Sequence, residues 1–107
     1  MTFDRFWPAY LAEHRSRRNR RMHLAGTLGY LALLGALLAT RHWAWMWTAP
    51  VLAYGSAWTG HFFIEKNRPA TFKHPWLSLL GDHKMAALML AGRMDAEMER
   101  LEIPGRP

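Results

Sequence analysis

Two long runs without a single Asp, Glu, Lys or Arg limit what this chain can become. The first is Met22 to Thr40, "MHLAGTLGYLALLGALLAT"; the second is His42 to Ile64, "HWAWMWTAPVLAYGSAWTGHFFI". Only Arg41 separates them. An α-helix rises 1.5 Å per residue, so roughly 20 apolar residues cross the hydrocarbon core of a bilayer. Both runs approach that length. A cleaved signal peptide fits the first poorly, because a charged segment of about twenty residues precedes it and a second apolar run follows at once. A soluble bundle with two buried helices is the alternative. The tryptophans at 43, 45 and 47 favour the membrane, since indoles concentrate at its interface.

The charge lies outside the apolar runs. With a net charge of +6, the chain suits anionic surroundings such as lipid headgroups. Its 107 residues suit one domain, and the absence of cysteine excludes disulfides and thiolate chemistry. Five arginines occupy Arg15 to Arg21, "RSRRNRR". So close to an apolar run, they read as a headgroup-facing turn and not as a nucleic-acid arm. The expected fold is all-α: an integral-membrane helical hairpin of two spanning helices, flanked by amphipathic N- and C-terminal helices. Residues 1–19 form an amphipathic helix with Phe3, Phe6, Trp7, Tyr10 and Leu11 on one face, then the basic turn. The spans cover 20–40, with Asn19 as N-cap, and 50–67, ended by Pro69. Residues 75–101 form the last amphipathic segment, with a break at Gly81, a cap at Asp82 and a methionine stripe facing inward. The tail "IPGRP" reads as frayed.

Basic residues before the first span and at Lys66, Arg68 and Lys73 share one side, so both termini are expected in the cytoplasm, at a bacterial inner membrane. The small residues Ala25, Gly26, Gly29, Ala32, Gly35 and Ala36 would let a second helix approach closely, within the chain or in a homo-oligomer.

The hairpin also sorts the six histidines. His61 and Glu65 are four residues apart, on one face near the cytoplasmic end of the second span. His23 lies at the start of the first span, beside them in an antiparallel hairpin. On one straight helix His14 and His23 would face apart, because nine residues turn through about 900°. A break near Ser16 to Asn19 frees both to point inward. His14, His23, His61 and Glu65 can then converge, with Asp82 and His83 approaching from below. Ionisable groups inside a span are costly and point to function. Imidazole and carboxylate without thiolate suit Fe(II), Mn(II) or Zn(II). The residues leave a second reading open, in which His61 and Glu65 are a hydrogen-bonded pair holding the hairpin. His42 and His74 read as structural.

"YLAEHRSRRNRRMHLAG" together with "GHFFIEKNRPATFKHPWLSLLGDHKM" resembles the small membrane family that includes the fungal 2-hydroxy fatty acid dioxygenase. The likeness runs from about Phe3 to Leu90. It is sharpest at His14-x4-Asn19-x3-His23 and over Gly60 to Ala70. The resemblance implies an Fe(II)-dependent, O2-using α-oxidation that shortens a 2-hydroxy fatty acid by one carbon. It also implies His14, His23 and His61 as metal ligands. Glu65 would be a fourth ligand or would orient an imidazole, with Asp82 and His83 as weaker candidates. Lys66 or Arg68 would attract the substrate carboxylate. A zinc hydrolase using Glu65 as base, or a non-catalytic hairpin, are the other readings.

Overall fold

The computed structural model describes all residues from Met1 to Pro107. It is entirely helical: α1 (Phe3–Ala12), α2 (Arg17–Ala39), α3 (Thr48–Thr59), α4 (Pro75–Leu90) and α5 (Met94–Arg100). A 3-10 turn at Trp43–Trp45 precedes α3, a π-helical turn at Gly60–Glu65 follows it, and a second 3-10 turn spans Ala70–Phe72.

Helices α2 and α3 pair antiparallel. A Cβ on Gly26 would come within 2.6 Å of the Ser56 Cβ, and one on Gly29 within 3.3 Å of Leu52. Moving up α2 therefore moves down α3, and glycine lets the two backbones approach. Gly35 meets nothing within 4 Å.

α2 is the one helix long and apolar enough to cross a membrane, and only 17% of its apolar window is buried. A core helix of a soluble bundle would be covered. The second apolar run is not a continuous helix. The Trp43–Trp45 turn takes its start and the π-helical turn takes its end, leaving α3 only 12 residues. The expected second span is thus a broken helix. Leu31, Leu38, Val51, Phe63, Trp76 and Leu80 are also exposed, more apolar surface than water tolerates well.

The end helices pack on each other. Phe6, Trp7, Tyr10 and Leu11 of α1 meet Met85 of α4 and Met94 and Met98 of α5 in a single buried cluster. Thr2 caps α1 by accepting from the Arg5 N–H. α4 runs unbroken through Gly81, because glycine there leaves room for the Tyr10 ring, 3.0 Å from where a Cβ would sit. The break comes at Gly92, which has φ +71°. Nor is the tail frayed. Arg106 pairs with the chain on either side of Ser16, its N–H donating to Arg15 O at 2.9 Å and its carbonyl accepting from Arg17 N at 2.7 Å.

Candidate metal centre

α2 begins at Arg17, with Ser16 as N-cap. The break after α1 is therefore only Glu13 to Ser16, yet it suffices to turn His14 inward towards His23. The π-helical turn does the same for His61. Such turns insert an extra residue into a helix and often mark functional sites. It ends at Lys66, a non-glycine residue in the left-handed region at φ 60°, which reverses the chain sharply.

His14, His23 and His61 converge. Their ligand atoms lie within 4.8 Å of one another, and all three side chains are buried. His14 Nε2 is 2.9 Å from His61 Nε2 and 3.2 Å from His23 Nε2. What faces inward follows from the other ring nitrogens. His14 Nδ1 lies 2.6 Å from Tyr10 O, and His23 Nδ1 lies 3.0 Å from Asn19 O. A carbonyl only accepts, so both Nδ1 atoms carry the proton. His61 Nδ1 lies 2.7 Å from Asn67 Oδ1. The Asn67 Nδ2 donates to Glu13 O at 3.0 Å, which fixes the amide with its oxygen towards His61. All three imidazoles therefore carry a proton on Nδ1, and in the neutral form each keeps Nε2 free to ligate. The three Nε2 atoms lie together on the inner side of the rings.

Lone pairs at such separations repel unless a cation sits among them. Imidazole binds zinc at about 2.0–2.1 Å, and ligands at that distance stand about 2.9 Å apart at a right angle and about 3.4 Å apart at a tetrahedral one. The two spacings from His14, 2.9 and 3.2 Å, fall in that interval, and the His23–His61 pair lies within 4.8 Å. Anchoring of each distal N–H is also the usual support of a metal-bound histidine. The donor set therefore fits a divalent transition metal. Burial, and then the neighbouring imidazoles, hold His14 well below the ordinary histidine pKa, which keeps it neutral and able to ligate.

Glu65 is not among the converging atoms. Its Oε2 accepts from Ser16 N at 2.8 Å and Asn19 Nδ2 at 3.1 Å, and its Oε1 pairs with Arg106 Nη2 at 2.5 Å. The extra residue of the π-helical turn carries it past the triad to the start of α2. Asp82 accepts from the Tyr10 hydroxyl, and His83 bonds the Tyr30 hydroxyl and Leu79 O, so neither completes the triad. Lys66 is exposed, and the Arg68 guanidinium lies 5.3 Å over the Phe72 ring. His74 precedes α4 with its ring against Phe6, and exposed His42 bonds Thr40 Oγ1. The arginine run is partly structural: buried Arg20 donates from Nη1 to His14 O and Arg15 O.

The sequence reading missed Tyr10, Asn67 and Arg106. Tyr10 stacks on His14 at 3.9 Å between ring centres and also offers it a carbonyl. Asn67 sits in the quoted motif, where its place just after the His61 turn was the available signal. Nothing in the tail's composition marks Arg106.

Residues 1–94 match the model of the Mpo1-like family, described as 2-hydroxy-palmitic acid dioxygenase Mpo1-like. The chain belongs to the Mpo1-like family. No curated protein and no solved structure matches it. The Mpo1-like description names an oxygen-using enzyme, and in this member the buried histidine triad can hold the metal that such chemistry commonly uses.

Proposed function

We propose that this chain is an integral-membrane, non-haem Fe(II) dioxygenase that carries out α-oxidation of 2-hydroxy fatty acids. The observation that carries the proposal is the convergence of three buried histidines whose ligand atoms lie within 4.8 Å of one another, with every Nδ1 proton already committed. His14, His23 and His61 would hold the ion. When bound, it supplies a Lewis acid and an electron donor to O2. The overall reaction balances as a 2-hydroxy acid plus O2 giving the acid one carbon shorter, carbon dioxide and water. Tyr10 covers His14 and excludes water from that side. Arg68 and Lys73 line a cavity of about 390 Å3 with Glu13 and Asn67, next to the His61 support, and offer positive charge to the carboxylate. Exposed Lys66 faces the headgroup region. The acyl tail lies along the apolar outer surface, and the broken second run completes a membrane hairpin with both termini cytoplasmic.

A zinc hydrolase with Glu65 as base fits less well, because that carboxylate is held by three donors away from the triad. A purely structural hairpin gives no reason for three buried imidazoles to converge with each distal N–H anchored. The test is metal content and oxygen uptake on anaerobically purified, detergent-solubilised protein. It is given Fe(II) and then 2-hydroxypalmitate, beside His61→Ala. Near-stoichiometric iron, with uptake lost in the variant, supports the proposal. Zinc without uptake overturns it in favour of a hydrolase, and no bound metal in either protein overturns the metal reading altogether.

A further inference from the structure

Arg106 lies beyond residues 1–94, so family membership says nothing of it. Its side chain nevertheless reaches Glu65, just past the end of the second apolar run. Nη2 donates to Glu65 Oε1 at 2.5 Å and to Glu65 O at 3.2 Å. One guanidinium thus grips both the side chain and the backbone of the residue that closes the π-helical turn carrying His61.

The other Glu65 oxygen faces the opposite way, into α2. It accepts from Ser16 N and from Asn19 Nδ2. The Asn19 carbonyl in turn accepts the Nδ1 proton of His23. Ser16 is also bracketed by the main chain of Arg106, through Arg15 O and Arg17 N, and its hydroxyl donates to Pro107 O at 2.6 Å. The Arg15 Nε adds a bond to Pro104 O at 2.7 Å. Ser16 lies two residues after His14. The tail is therefore bonded to the segment that follows His14, to Glu65 at the end of the turn that carries His61, and through Asn19 to the support of His23.

We propose that Arg106 is a positioning residue for the metal centre: residues Pro104–Pro107 form a strap that fixes the three histidines relative to one another through Glu65. This rests on the metal-binding reading of the triad. Arg106 touches no ligand atom and acts only through Glu65 and Ser16. The Glu65 side chain is 1% exposed, and Arg106 is the one cation paired with it, beside the neutral donors Ser16 N and Asn19 Nδ2. Loss of Arg106 leaves a buried carboxylate without its counter-charge, and its Oε1 without a donor, between α2 and the π-helical turn. Relief comes from parting the two elements that carry His23 and His61. Mutation of groups that orient metal ligands typically weakens binding about 10- to 100-fold.

The test uses the full chain in detergent, with Co(II) as the probe. Its dissociation constant and visible absorption band are measured for wild type, Arg106→Ala, Arg106→Lys and the double variant Arg106→Ala/Glu65→Gln. Circular dichroism and gel filtration of each apo protein report folding. A loss of about 10- to 100-fold in affinity for Arg106→Ala, a smaller loss for Arg106→Lys, a shifted band and partial recovery in the double variant support the strap. Affinities within about twofold of wild type, with an unchanged band, overturn it and leave the triad reading intact. If Arg106→Ala does not fold, Arg106→Lys decides: a shifted band supports the strap and wild-type binding overturns it. A wild-type protein that takes up no Co(II) overturns both the strap and the metal centre.

Discussion

Gly60→Ala should cost this protein more than its size suggests. A Cβ at position 60 would lie 1.9 Å from Asn19 Oδ1, 3.0 Å from Asn19 Cγ and 3.5 Å from His23 Cε1. Ordinary contact begins near 3.4 Å, so Asn19 or the whole of α3 has to move by about 1.5 Å. Neither moves freely. Asn19 is fully buried, and its amide already donates to Glu65. Overpacking of this kind costs about 1–3 kcal/mol. Losing the bond to Glu65 adds about 1–3 kcal/mol, and alanine returns about 0.5–1 kcal/mol of backbone entropy. The net is a destabilisation of roughly 3 kcal/mol. Gly35→Ala is the matched control. Its Cβ meets nothing, so it should be neutral or stabilising by up to about 1 kcal/mol. Unfolding of both variants in mixed micelles, titrated with SDS, measures the difference. A Gly60→Ala protein within 0.5 kcal/mol of wild type, about the scatter of neutral substitutions, would refute the close approach of the π-helical turn to Asn19.

Three further outcomes are expected. Burial raises Asp82 from its ordinary 3.8 to about 6, so the folded state holds that proton more tightly than the unfolded state does. Its contribution to stability is therefore full below pH 3.8 and is lost as pH rises through 6. Asp82→Asn should gain on wild type by roughly 3 kcal/mol across that window, read from unfolding free energies at pH 4 and pH 7. Metal at about 100 times its dissociation constant should stabilise wild type by about 2.7 kcal/mol and leave His61→Ala unmoved in thermal unfolding. Leu31→Lys puts a charge on the exposed face of α2. At about 2.5–3.5 kcal/mol per buried charge it should markedly reduce membrane insertion, measured by carbonate extraction.

Much of the site was legible because hairpin geometry is coarse. An antiparallel pair brings the start of one apolar run beside the end of the other, and that alone places His23 next to His61. A break between His14 and His23 was visible as a change from apolar periodicity to an arginine run, but it lies at Glu13 to Ser16, earlier than the expected Ser16 to Asn19, because Ser16 and not Asn19 caps α2. Glu65 was not legible as it stands. Four-residue spacing implies one face of an α-helix, but the π-helical turn adds a residue and the left-handed Lys66 turns the chain away. Neither leaves a periodic trace. The second run was read as one span for a similar reason: hydropathy does not show where a helix changes pitch. The tail looked frayed because its structure comes from bonds between residues some 90 positions apart, such as Ser16 to Pro107 and Arg15 to Pro104. Local pattern carries no information at that range.

The pairing of Glu65 with Arg106 also has a consequence in time. The two residues are 41 positions apart, and a ribosome adds about 5–20 residues per second, so the carboxylate is made about 2–8 s before its cation. By then all three histidines have been synthesised. The three ligands are therefore all made before the strap that braces them. A chain interrupted anywhere between the two lacks the counter-charge of the Glu65 carboxylate at the start of α2.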